Sequence, residues 1–311
     1  MEFFSKQTNF DFIGQQRKAI IISAIIIVLS FILLFTKGLN FGLDFTGGTL
    51  VELGYAEAAD LDEARTLLDN SEFAGAIIQN YGSASEVLIR LAPVAELDNA
   101  EVGNRVLAVL KQGGQQIEMR RIEFVGAQVG DELAESGGLA TLFALLGILA
   151  YVSVRFQARF AVGAIVALVH DVMITFGFFS LTQMNFDLGA LAAVLTVIGY
   201  SLNDTIVVYD RIRDNFRRMR NSTVVEVFNT SLNQTLSRTI MTGVTTLLVL
   251  GALFFLGGES LHAFSTILIL GIVIGTFSSV YIASPVTIAL GISRKDLMPV
   301  EREGADLPDR P

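Results

Sequence analysis

A hydrocarbon layer of ~30 Å is crossed by about 20 residues of helix. This chain has six apolar runs of about that length, at 19–37, 138–155, 160–181, 188–210, 239–257 and 263–290. Lipid offers no partner to a backbone N–H or C=O, so such runs fold as helices that satisfy their own polar groups. The rest of the composition agrees: 52% of the 311 residues are hydrophobic and 17% charged, outside the range of an ordinary soluble domain. The first run, Ala19–Phe35, follows Arg17 and Lys18 as a signal peptide would, but Thr36-Lys37-Gly38-Leu39-Asn40 lacks a small-x-small cleavage site. It is expected to be a retained span.

Charge is sorted along the chain. The formal net charge is −9, yet the acidic residues concentrate between 44 and 135, while basic residues dominate the other polar segments. Arg17 and Lys18, Arg155 and Arg159, Arg211 to Arg220, and Arg294 with Lys295 all fall on one side of a six-span arrangement, which the positive-inside rule makes cytoplasmic. The expected organisation is a cytoplasmic N-terminus 1–18, a first span 19–37, an outside domain with its linkers 38–137, spans two to six over 138–290, and a cytoplasmic tail 291–311. Within the spans, 211–238 is a cytoplasmic amphipathic segment, and Asn221–Gln234 reads as a surface helix with one apolar side. Cysteine is absent, which excludes disulfides, thiolate metal sites and thiol nucleophiles.

The outside segment has its own periodicity. Thr49–Tyr55, Ala76–Tyr81, Glu86–Leu91 and Gln115–Phe124 read as strands, and Asp60–Leu68 and Asp98–Lys111 as helices. The order β-α-β-β-α-β is that of a ferredoxin-like α+β unit. The predicted fold class is therefore a polytopic α-helical membrane protein with a small ferredoxin-like domain between its first two spans.

Ionisable groups inside spans carry the functional signal, because a charge at the centre of a membrane helix costs roughly 2.5–3.5 kcal/mol. Asp204 lies in the fourth span, four residues after Tyr200 and about 9 Å of helix rise from Asp210. It is a candidate proton relay. Arg238 is its candidate partner across the only loop joining the fourth and fifth spans, or else a cationic anchor at a span end. His170 and Asp171, in the third span, either extend the relay or pack the bundle; pointing about 100° apart on a helix, they are not expected to share one proton. Gly271 and Gly275 form a small-xxx-small pair suited to close helix packing.

Other chemistries are excluded by their missing motifs. Gly47-Gly48 is not followed by Gly-Lys-Ser/Thr, so no phosphate loop is expected. No metal-ligand spacing, nucleophile elbow or basic-aromatic nucleic-acid strip occurs, and Asp204 lacks the Gly-x-Gly-Asp context of an intramembrane aspartyl protease. No cofactor, metal or nucleic-acid partner is expected, and no bond-making activity.

Several stretches resemble the SecD/SecF family of bacterial protein-export membrane proteins, a branch of the resistance-nodulation-division superfamily, along nearly the whole chain. Gly42-Leu43-Asp44-Phe45-Thr46-Gly47-Gly48 is similar to the family motif after the first span, and Val125–Leu133 to the motif before the second, with Ala127 where the family usually has Pro. His170-Asp171-Val172 and the run Gly199–Arg213, with Tyr200, Asn203, Asp204, Asp210 and Arg211, resemble the SecF branch rather than the SecD branch. The resemblance implies that Asp204 responds to protons and that Arg238 is its cationic partner. It also implies a SecD partner, action beside the SecYEG channel after SecA has driven the polypeptide across, neighbours YajC and YidC, and a place in the inner membrane.

Overall fold

The computed structural model of the chain describes residues 8–92, 99–293 and 296, so Asp98, Arg294 and Lys295 lie outside the described residues. After a 3-10 turn at Ile13–Gln15, α1 (Gln16–Thr36) leads through β1 (Asn40–Phe41) and one helical turn, α2 (Leu43–Thr46), into an α+β domain. That domain comprises β2 (Gly48–Tyr55), α3 (Leu61–Asp69), β3 (Ile77–Tyr81), β4 (Ser83–Leu91), α4 (Asn99–Leu110) and β5 (Ile117–Val125). The chain continues with α5 (Ala127–Arg155), α6 (Ala158–Thr182), β6 (Asn185–Phe186), α7 (Leu188–Arg218), α8 (Val224–Leu256) and α9 (Glu259–Ser278). A π turn at Ser279–Ala283 and α10 (Ser284–Ala289) complete the sixth helix long and apolar enough to cross a membrane.

The sheet order β3-β4-β2-β5, antiparallel throughout, is that of a ferredoxin-like unit. Each local signal has a visible cause. Asp60 caps α3 by accepting from the Asp62 and Glu63 amides, and alternation along β2 and β4 puts Val51, Leu53, Val87 and Ile89 under α3 and α4. A second, separate core fills the helix bundle.

Three helices clearly outrun the expected spans: α7 runs on from the expected 210 to Arg218, and α8 and α5 begin well before theirs. The segment Asn221–Gln234 is not a separate surface helix: α8 begins at Val224 behind a Thr223/Glu226 capping box and runs unbroken to Leu256, so Arg238 lies well inside it rather than opening it. Nothing in 224–256 stops a helix, and Val227, Phe228, Ser231 and Leu232 are buried against the bundle. Likewise α5 begins at Ala127, the first helical residue, a position where the missing N–H of Pro or the N–H of Ala is equally without an intrahelical partner. Half of the apolar window of α6, α7 and of the last span is buried within the chain, against 11%, 6% and 17% for α1, α5 and α8. The latter three present apolar surface for lipid or a partner.

Candidate functional site

Where α6, α7 and α9 meet, buried polar residues lie among the apolar side chains of the core. Asp171, with no exposed surface, accepts hydrogen bonds at Oδ2 from Ser201 Oγ of α7 (2.5 Å) and Ser278 Oγ of α9 (2.8 Å). One carboxylate thus ties three helices. Its Oδ1 lies 2.9 Å from His170 Nδ1, which corrects the expectation that the two side chains diverge: both turn into the same interface, and the imidazole reaches back along it. His170 Nε2 is buried without a partner among the described residues, and the ring stacks on Phe277 at 6.4 Å. Gly271 and Gly275 permit the approach of α9 to α7, since a Cβ at either would fall 2.1 Å from Val197 Cγ2 or 2.8 Å from Ser201 Cβ.

Asp204 sits one turn beyond Ser201 on α7 and is 3% exposed. Its Oδ2 accepts from Thr276 Oγ1 at 3.4 Å, longer than an ordinary hydroxyl–carboxylate bond. Arg238, on α8, is exposed, and no ion pair within 4.0 Å joins it to Asp204 in this conformation. Tyr200 shares the Asp204 face of α7 and points its hydroxyl at the Gly243 position of α8, without a partner among the described residues. Asn203, about 100° round the helix from Asp204, is exposed.

The polar seam continues away from the α+β domain. Thr205 Oγ1 meets Ser279 Oγ at 2.8 Å, and the fully buried Tyr209 donates to the Ala283 carbonyl of the π turn (3.0 Å) and meets Thr287 Oγ1 (2.9 Å). Asp210 ends the seam in a pair with Arg155 (2.7 Å), and Arg211 binds Gln234 (2.7 Å). Ser201, Ser278, Thr276 and Tyr209 carry no charge, and only the three-dimensional crossing gives them a role.

At the other end, the Gly42–Gly48 motif forms the junction between domain and bundle. β1 pairs in parallel with β6, Asn40 opposite Asn185 and Phe41 opposite Phe186, and Gly42 N donates to the Phe186 carbonyl at 2.7 Å. Asp44 accepts from Leu188 N (3.0 Å) and Asp187 from Ala190 N (2.7 Å), so two carboxylates cap α7. Burial pushes the Asp187 carboxyl above its usual range, the Ala190 N–H opposes this, and the Asp44 charge adds to the rise. Phe45 stacks on Phe186 at 5.9 Å. Gly48 has a φ of +115°, and a Cβ there would lie 2.2 Å from the Leu91 carbonyl oxygen. Arg90, Asn40, Asn185 and Asp187, which join at this junction, were not singled out by sequence reasoning. The repeated Asn-Phe after the first and third spans was the available signal. Among the described residues, no group of three or more His, Asp or Glu is placed to hold a metal ion.

Known proteins are similar to this chain in sequence and in fold. The model for the C-terminal region of the SecD/SecF protein export membrane proteins matches residues 105–293, and that for the SecD/SecF GG motif matches residues 32–59. The protein translocase subunit SecF of Vibrio alginolyticus is 50% identical over 313 residues, covering 100% of this chain and 99% of that protein. Its counterpart in Pseudomonas aeruginosa is 47% identical, covering 97% of each. The crystal structure of SecDF from Thermus thermophilus, a translocon-associated membrane protein, superposes with a TM-score of 0.83 at 36% identity over 93% of this chain. A SecDF in the Super-membrane-facing form gives 0.63 at 34% identity over the same share. The chain spans 39% of the length of each SecDF chain. Matched by a family model over more than half its length, and half identical to a curated relative from end to end, the chain belongs to the SecD/SecF family of protein-export membrane proteins.

Proposed function

We propose that the chain serves as a SecF-type translocase subunit in which the proton gradient, acting at Asp204, moves the α+β domain to hold or release an emerging polypeptide. Asp204 carries the reading. It is a buried carboxylate held by one long hydrogen bond and, among the described residues, by no ion pair. A group held so lightly can change charge without dismantling the packing around it. Arg238 approaches it in a second state, and the absence of a fixed pair leaves room for that change. His170 and Asp171 extend the relay, since Ser201 stands one turn from Asp204 and already donates to Asp171.

The membrane is the bacterial inner membrane, with both termini cytoplasmic by the positive-inside rule. A SecD partner supplies further spans and a larger external domain, in keeping with the share of each SecDF chain that this chain occupies. The complex works beside SecYEG after the SecA step, with YajC and YidC as neighbours. One elementary charge crossing the membrane provides about 2.3 kcal/mol per 100 mV. That biases a domain equilibrium without unfolding a domain, so the subunit acts by conformation rather than by bond-making.

The test is Asp204→Asn in export-competent vesicles. The variant should insert and co-purify with a SecD-type protein while losing the gradient-dependent part of export. Full gradient-dependent export by Asp204→Asn would refute the proposal. Arg238→Lys, which keeps the charge but loses the planar fork, should weaken export if the two groups meet in a second state.

A further inference from the structure

The two faces of the α+β sheet differ in what covers them. α3 and α4 cover one; the other turns Leu50, Glu52, Leu88 and Arg90 toward the bundle. Arg90 is only 8% exposed, although its own domain offers this face no helix. The bundle buries it. Its guanidinium donates to Asn40 Oδ1 (3.0 Å), to the Phe41 carbonyl and to Asn185 Oδ1 (2.5 Å), and Asn40 Nδ2 donates to Asn185 Oδ1 in turn (3.1 Å). One fork therefore grips both loops of the parallel β1/β6 pair, where α1 has ended and α7 begins. α7 runs on from that grip as a single helix, with Asp204 16 residues past Leu188, about 24 Å by helical rise.

The grip is incompletely compensated. All three acceptors are neutral, and among the described residues Arg90 Nε is buried without a partner and no carboxylate pairs with the guanidinium within 4.0 Å. Burial lowers the pKa of Arg90, while the nearby charge of Asp187 raises it. A buried cation held by neutral oxygens alone gains from a carboxylate. Asp187 is the carboxylate at hand. It lines the same cavity of about 300 Å3 as Arg90, so there is room for the two to meet.

We propose that Arg90 is the residue through which movement of α7 reaches the α+β domain, exchanging its hold between the Asn40/Asn185 pair and Asp187. This rests on the reading of Asp204 given above. It adds a defined point of transmission with two arrangements, each using groups already in place.

The chain has no cysteine, so spin labels can be placed at chosen positions. Asn80→Cys with Leu181→Cys reports the domain against the bundle, and Val154→Cys with Arg217→Cys reports movement within the bundle. The full chain is reconstituted in vesicles with a cysteine-free SecD-type partner, and a proton gradient is imposed. Both distances should shift. Arg90→Met and Arg90→Lys should keep the bundle shift and lose the domain shift, Lys because it retains the charge but cannot span Asn40 and Asn185 together. Asp187→Asn, which still caps α7, should lose the domain shift as well. A merely structural Arg90 would not separate the two distances. The proposal is overturned if the domain shift survives these substitutions, or if the bundle moves in the unsubstituted protein while the domain stays still. A bundle distance that ignores the gradient would instead overturn the reading of Asp204, and this proposal with it.

Discussion

Asp171 and Asp204 are both buried acids within one stretch of the bundle, and their surroundings predict opposite responses to removal. Asp171→Ala takes away the acceptor of Ser201 and Ser278 and the partner of His170 Nδ1, three contacts of 2.5, 2.8 and 2.9 Å. Polar contacts between membrane helices average about 0.6 kcal/mol and reach about 1.7 kcal/mol, so the loss sums to about 2–5 kcal/mol. At about 1.5 °C per kcal/mol for a chain of 311 residues, the unfolding midpoint should fall by at least ~3 °C. Asp204→Asn removes or weakens one 3.4 Å contact, which is too long to be worth the average. Its midpoint should move by no more than about 1 °C. Tryptophan is absent, so circular dichroism in mild detergent is the suitable probe. A neutral Asp171→Ala, or an Asp204→Asn as destabilising as Asp171→Ala, would show that the hydrogen-bond inventory does not govern the bundle.

Gly271→Leu places side-chain atoms where Val197 already lies and should destabilise the bundle by about 1–3 kcal/mol or prevent its assembly, read as loss of detergent-resistant folded protein. Gly48→Ala imposes a Cβ on a positive-φ residue pressed against the Leu91 carbonyl; it should cost more than about 1 kcal/mol in domain stability by chemical denaturation. The fragment 44–125, which holds the sheet and both of its helices, should fold alone and unfold cooperatively. A disordered fragment would mean that the bundle, through Arg90 and the motif loop, is needed to fold the domain.

The spans and the domain were legible because each rests on a local physical rule. Apolar runs such as Ala19–Phe35 have no stable alternative to a helix in lipid, and alternation in Thr49–Tyr55 has no stable alternative to a strand with one buried face. Helix ends were less legible. Asn221 to Gln234 looks like a separate amphipathic element, but from Val224 no breaker separates it from the apolar run that follows, and hydropathy measures the lipid boundary rather than the end of the helix.

Residue order alone marks the class of the protein and its costly groups: burying Asp171, Asp204 or His170 in a span is expensive wherever the helices lie, so their presence is enough to single them out. Tertiary structure decided how those groups differ. Asp171 and Asp204 look alike as single letters on neighbouring helices, yet the α6, α7 and α9 crossing gives one a set of close partners and the other a single distant hydroxyl. The same holds for Arg90, an ordinary strand residue until the Asn40 and Asn185 loops, separated by 145 positions, are paired beneath it. Local periodicity is a property of neighbours in the chain. Hydrogen-bond completeness is a property of neighbours in space, and only the folded bundle supplies those.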